Sequence, residues 1–230
     1  MPNLFWNALK NGIVTQKDLF PDLPEYCQGF PDLRPTAECK ADECSACISS
    51  CPTQAISLEK TDNDSDSSGI TLDLGSCIGC GLCVERCPTS AIERNLKTKT
   101  AVSHRADLLL GAKRDQPEAT ASTPARKLPF RRSLAIRVVS TGCSACDLEV
   151  SACGNPIFDM ERFGVQVVAS PRAADALLIT GPVGAGMREP LLRTYRAMAE
   201  PRVVIACGTC AISGGLHKNG YTEANGVDGI

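Results

Sequence analysis

Between Cys39 and Pro88 the chain carries eight cysteines in two tight runs. The second run, Cys77, Cys80, Cys83 and Cys87 followed by Pro88, has the spacing C-x2-C-x2-C-x3-C-P, which wraps a cubane iron–sulfur cluster. The first run ends in Cys44, Cys47, Cys51 and Pro52. Shifting it by 36 positions places these cysteines on Cys80, Cys83 and Cys87, and the residues beyond repeat as PTQAI against PTSAI. Such an internal repeat marks a duplicated supersecondary unit. The position matching Cys77 is Ala41. A cysteine stands two residues earlier, Cys39, so the first run reads as C-x4-C-x2-C-x3-C-P with a short insertion. Gly79 and Gly81 in the second run, and Ser45 and Ala46 in the first, are small enough to let three thiolates face inward from one curl. The fourth thiolate of a cube cannot come from that curl, because the chain is already leaving it. Zinc also takes paired C-x2-C steps, but eight ligands in this three-plus-one pattern exceed what a tetrahedral site needs.

Residues 35–95 resemble the bacterial two-cluster ferredoxins, in which the cysteine before proline ligates the other cluster. The resemblance implies two 4Fe-4S clusters. One would be held by Cys39, Cys44, Cys47 and Cys87, the other by Cys77, Cys80, Cys83 and Cys51.

A second group of cysteines lies further on. Cys143 and Cys146 form one C-x2-C pair, Cys207 and Cys210 another, and on spacing alone a four-thiolate site here suits zinc or a cluster equally. The elements that position them read as α/β. Apolar runs at Leu134–Val139, Val165–Ala169, Asp175–Thr180 and Arg202–Ala206 predict four strands. Met187–Glu200 predicts a helix with Pro190 in its first turn. Strands alternating with helices predict a parallel sheet. Both pairs fall just past strand ends, where such sheets place their ligands.

Upstream, Asn3–Ile13 predicts a short helix. Pro21, Pro24, Pro31 and Pro35 predict irregular chain after it. The polar stretch Lys60–Gly69 predicts a solvated hairpin tip, and Ala101–Ala112 a helix. Residues 96–132 have the composition of a flexible linker. Its basic residues, among them Lys97, Lys99, Lys113, Arg126, Arg131 and Arg132, suit a solvated segment or an acidic partner. The organisation expected is therefore an N-terminal extension at 1–34, a ferredoxin-type α+β domain at 35–95, the linker, and an α/β domain with a parallel, flavodoxin-like sheet at 133–230.

Composition excludes several functions. The chain has 230 residues, 14 cysteines, 4% aromatic residues and a net charge of −2, which gives no nucleic-acid footprint. No secretory leader follows Met1, and no apolar run is long enough to span a bilayer. Cysteines in this number and spacing then read as reduced ligands in a cytosol-like compartment. Gly181–Gly186 lacks the full dinucleotide fingerprint. His104 and His217 stand alone, as does Cys27, and Cys153 reads as a small core residue. No nucleophile–base pair, nickel site or flavin motif is evident, so no catalytic residue is expected in this chain.

The second half resembles the small, cluster-bearing subunit shared by complex I and the membrane-bound group 4 NiFe hydrogenases. The matching stretches are FRRSL at 130–134, TGCSACDLE at 141–149, FDMERFGV at 158–165, SPRAADALLITG at 170–181 and ACGTCAISGG at 206–215. Complex I members carry adjacent cysteines at the first of these sites, whereas Cys143 and Cys146 are spaced as in hydrogenase-type members. The resemblance implies one further 4Fe-4S cluster on Cys143, Cys146 and Cys210. The family's fourth ligand lies in a Pro-Gly-Cys-Pro-type turn beyond Ile230, so the chain is expected to be a C-terminally truncated fragment, with Cys207 as the alternative ligand. Asp147 and Glu149 match acids beside that cluster, which could tune its potential; a helix N-terminus, which favours acids, explains them nearly as well. The implied function is electron relay between a donor or acceptor and a NiFe large subunit, peripheral on the cytoplasmic face of the inner membrane through its complex. The alternatives are a complex I-like subunit passing electrons to quinone, and a zinc-stabilised scaffold with no redox role.

Overall fold

The computed structural model describes residues 4–12, 18, 20–34, 45–59, 69–111, 130, 133–143, 145–221 and 225–229. Cys39, Cys44, the tip at 60–68 and the middle of the expected linker lie outside these residues.

The sequence repeat is visible in the first module. Helix α1 (Leu4–Asn11) precedes strand β1 (Phe30–Leu33), then α2 (Ala46–Ser50), β2 (Ile56–Glu59), β3 (Gly69–Asp73), α3 (Leu82–Glu85) and β4 (Ile92–Asn95). Helix α2 with β2 recurs as α3 with β4 at the same spacing as the cysteines. β1 pairs antiparallel with β4, and β2 with β3. Ile56, Ile70, Leu72 and Ile92 form the core, joined by the thiols of Cys47 and Cys83. Full burial of one such aliphatic side chain is worth about 1.5–3 kcal/mol.

Two expectations are corrected here. The proline-rich stretch does contain a strand, because Pro31 sits in a two-stranded ribbon where a missing N–H is tolerated. The helix expected over Ala101–Ala112 is instead a 3-10 turn at Arg105–Leu108 and strand β5 (Leu109–Gly111), which adds to β3. Pairing with a free sheet edge and the Arg105 ion pair outweigh local helix propensity. Part of the stretch read as linker is thus structured.

In the second module β6 (Leu134–Ser140), α4 (Ala145–Ala152), β7 (Val165–Val167), β8 (Ala176–Thr180), α5 (Ala185–Arg196), β9 (Val203–Cys207) and α6 (Thr209–Ser213) follow one another. The sheet order is β7-β6-β8-β9, all parallel. This is the flavodoxin-like order, whose switch point lies between β6 and β8. Strand β8 is buried along its whole length, as a central strand covered on both faces must be. Val139, Leu177, Ile179, Val183, Leu191, Met198 and Ala211 form the core. Helix α5 begins two residues before the expected start, which leaves Pro190 in its interior rather than its first turn.

Candidate iron–sulfur sites and their joint

Cys77 and Cys80 lie on the loop after β3, and Cys83 on α3. Cys51 lies at the end of α2, in the other half of the repeat. These four cysteines line one cavity together with Pro52, Ile56, Leu72, Ile78 and Leu82. The structure thus brings Cys51 of the first run to the same cavity as three cysteines of the second. Gly79 and Gly81 both take positive φ, at 67° and 77°, which the tight curl requires and other residues resist.

Backbone amides point at the sulfurs. The amide of Ala55 donates to Cys51 Sγ at 3.2 Å and that of Ala91 to Cys87 Sγ at 3.2 Å. The hydroxyls of Thr53 and Thr89 lie beside the same two sulfurs, at 3.6 and 3.7 Å. Gly79 N–H reaches Cys77 Sγ at 3.3 Å. Such bonds stabilise thiolate over thiol.

The thiols also work against one another. Burial, then the neighbouring charges of Cys77, Cys51 and Cys80, pushes the Cys83 thiol up to about 11. Burial, then Cys51, Cys80 and Asp73, raises Cys77. Cys87 is also partly buried, but amides of Ile92 and Ala91 and the Thr89 hydroxyl more than offset this and hold its thiol below the usual range. Converging thiolates in an apolar cavity need a cationic core to be stable. A 4Fe-4S cluster fits the donor set, the cavity walls and the N–H···S bonds. Among the described residues no three His, Cys, Asp or Glu side chains close on a single metal ion.

Of the other ferredoxin set, Cys47 is buried and Cys87 half-buried in the shared core. Cys39 and Cys44 lie outside the described residues.

The α/β module gathers its cysteines at the carboxyl edge of the sheet. Cys143 follows β6, Cys146 sits in the first turn of α4, Cys207 ends β9 and Cys210 lies in α6. A Cβ on Gly208 would stand 2.6 Å from Cys146 Sγ, so that sulfur packs directly on the Gly208 backbone. Burial and then Cys143 and Cys146 raise the Cys210 thiol. Burial and then Cys146, Cys153 and Asp147 raise Cys207. Burial and then Cys143, Asp147 and Glu149 raise Cys146. Cys207 thus lies near Cys146, as does Cys210. The thiol-rich donor set again fits an iron–sulfur cluster.

Asp147 is held by the hydroxyl of Thr180, a fully buried residue at the end of β8. Gly181, at φ 80°, brings the loop after β8 against Cys143, whose amide nitrogen would lie 3.0 Å from a Cβ there. Cys153 is exposed, beyond the end of α4, and donates to Glu149 O. This corrects its reading as a core residue.

The two modules meet at residues 73–77, a feature that sequence reasoning missed. Thr209 Oγ1 donates to Cys77 O at 2.6 Å, and Ser213 Oγ to Gly75 O at 2.9 Å. Arg105 grips Asp73 with two bonds of 2.7 and 2.6 Å and reaches Asp228 at 3.1 Å. Thr209 lies inside the stretch ACGTCAISGG but its bond to Cys77 does not show there, and no motif marks Arg105, since each acts through a partner distant in sequence.

Two family models match the chain: the 4Fe-4S dicluster domain over residues 38–91, and the NADH ubiquinone oxidoreductase 20 kDa subunit over residues 143–230. An uncharacterized protein of Methanocaldococcus jannaschii is 45% identical over 106 residues, covering 46% of this chain and 71% of its own. Formate hydrogenlyase subunit 7 of Escherichia coli is 43% identical over 100 residues, covering 44% of this chain and 39% of its own. An NADH-quinone oxidoreductase subunit of a Roseiflexus strain is 39% identical over 108 residues, covering 46% and 40%. The chain therefore spans only about two fifths of the length of the last two relatives. A chain of the membrane-bound sulfane sulfur reductase, an archaeal respiratory membrane complex, matches with a TM-score of 0.37 and 33% identity over 42% of this chain and 54% of that one.

Proposed function

The chain belongs to the NADH ubiquinone oxidoreductase 20 kDa subunit family, with a 4Fe-4S dicluster domain ahead of that domain, and on that premise we propose that it is an iron–sulfur electron-transfer subunit of a membrane-associated respiratory complex. The observation that carries this reading is the shared cavity of Cys51, Cys77, Cys80 and Cys83. It joins both halves of the repeat around one apolar site. Bound clusters would supply one-electron chemistry. The chain's residues supply thiolates, N–H donors to sulfur and apolar walls that keep water away.

The occupancy proposed is a 4Fe-4S cluster on Cys77, Cys80, Cys83 and Cys51, a second on Cys39, Cys44, Cys47 and Cys87, and a third on Cys143, Cys146 and Cys210 with Cys207 beside them. Among the described residues no helix is long and apolar enough to cross a membrane. Attachment through other subunits, on the cytoplasmic face, belongs to the same proposal and rests on the resemblance. The partner proposed is a NiFe-type large subunit, because Cys143 and Cys146 are spaced rather than adjacent. The overall reaction would be hydrogen oxidation or proton reduction. Delivery to quinone is the second reading, and the sequence of the partner discriminates: a hydrogenase large subunit carries two C-x2-C pairs for nickel.

The test is iron, acid-labile sulfide and zinc per chain on anaerobically purified protein. About eight to twelve irons, with matching sulfide, are expected for two or three clusters. Zinc with little iron would refute the electron-transfer reading.

A further inference from the structure

We propose that the hydrogen bond from Thr209 Oγ1 to Cys77 O is the electron path between the ferredoxin-type module and the α/β module. This rests on the electron-transfer reading above. Cys77 is itself one of the four cysteines around the first cavity. Its carbonyl accepts from Thr209 at 2.6 Å. Thr209 is the residue immediately before Cys210, which stands with Cys143 and Cys146. From the Cys77 sulfur to the Cys210 sulfur the route is therefore unbroken covalent chain, bridged once by a short hydrogen bond.

Among the described residues, the other side-chain hydrogen bonds of the seam do not have this property. Ser213 Oγ meets Gly75 O, and Arg105 meets Asp73 and Asp228. These end on groups that are not adjacent to a thiolate in the chain, so they fix the modules in place without joining the sulfurs. Two hydroxyls on one face of α6, at Thr209 and Ser213, hold that helix at both ends against the turn. Position and rotation of Cys210 relative to Cys77 are thereby set. In each transfer one site loses an electron and the other gains it. No bond is made or broken, and Thr209 keeps its proton.

The test uses the full chain, prepared anaerobically as wild type, Thr209→Val, Thr209→Ser and Ser213→Ala. Iron content, hydrogen exchange of residues 73–77, and the magnetic coupling and electron equilibration between the two sites are measured. Wild type and Thr209→Ser are expected to hold about twelve irons and to share the same coupling. Thr209→Val should retain its iron, yet expose the turn to exchange about 2- to 13-fold more, the effect of losing one neutral hydrogen bond. Its equilibration between sites should slow by at least that factor. Ser213→Ala should loosen the turn without a comparable slowing. Wild-type equilibration in Thr209→Val overturns the proposal, as does equal slowing in Ser213→Ala. So does a wild type with only about eight irons, since the path would then end on empty thiols. Zinc in place of iron in the wild type is a different failure, which removes the electron-transfer reading before any variant is compared.

Discussion

Replacing Asp73 with asparagine is the most informative single perturbation of the seam. One carboxylate there accepts from Arg105 Nη1 and Nη2 at 2.7 and 2.6 Å, from Ser76 Oγ at 2.6 Å and from Gly75 N at 2.9 Å. The amide keeps the shape but turns one acceptor into a donor, so at least one bond from the guanidinium fork is lost. A hydrogen bond to a charged group contributes about 1.5–3 kcal/mol net. Arg105 is a third exposed and retains Asp228 at 3.1 Å, so its remaining charge is not stranded. The expected loss is about 2–3 kcal/mol near neutral pH. Partial burial pushes the Asp73 carboxyl up, but the hydrogen bonds from Arg105 and Ser76 and the Arg105 charge outweigh it and hold it below the usual range. A depressed carboxylate stabilises the fold fully above its unfolded pKa, about 3.9, and loses that contribution as pH falls through its folded value. Urea unfolding of metal-free wild type and metal-free Asp73→Asn should therefore differ at neutral pH and converge in acid. Equal stability at neutral pH, or a deficit that does not shrink below about pH 3.9, would refute the reasoning.

The crossed ligation is testable by pairs of serine substitutions. If both serve one cluster, Cys51→Ser and Cys80→Ser should each remove about four irons, and the double variant no more than either. Cys51→Ser with Cys47→Ser should remove about eight; the reverse pattern would mean that each run binds its own cluster. Gly208→Ala places a Cβ 2.6 Å from Cys146 Sγ at φ 87° and ψ 157°, a region open essentially to glycine alone. A strain of about 1–3 kcal/mol should lower the melting temperature of the α/β module, and unchanged melting would contradict the geometry.

The fold class was legible because its signals are local. The repeat of cysteine spacings foretold the duplicated α2–β2 and α3–β4 units, and apolar runs foretold β6, β8 and β9 within a residue or two. That all four of Cys143, Cys146, Cys207 and Cys210 fall at the carboxyl edge of the sheet follows from their position past strand ends. What could not be read is what depends on distant pairing. Strand β5 forms because the edge of β3 is available to it, a fact absent from residues 101–112. Pro31 reads as a breaker until its strand proves to have a free side. Cys153 reads as core because thiols usually are, yet it falls where α4 has already ended.

The seam shows why such long-range pairing matters to the chemistry. Residues 73–77 end strand β3, carry the Arg105 clamp, receive α6 and supply the first cysteine of the second run. Each role alone could be met by an exposed turn. Together they mean that a shift of one module against the other must either break the bonds at Gly75 and Cys77 or drag Cys77 with it. Ser76, almost fully buried, is tied back to Asp73 at 2.6 Å and leaves the turn little freedom to absorb the movement. The separation of the two thiol sites is therefore a property of this turn.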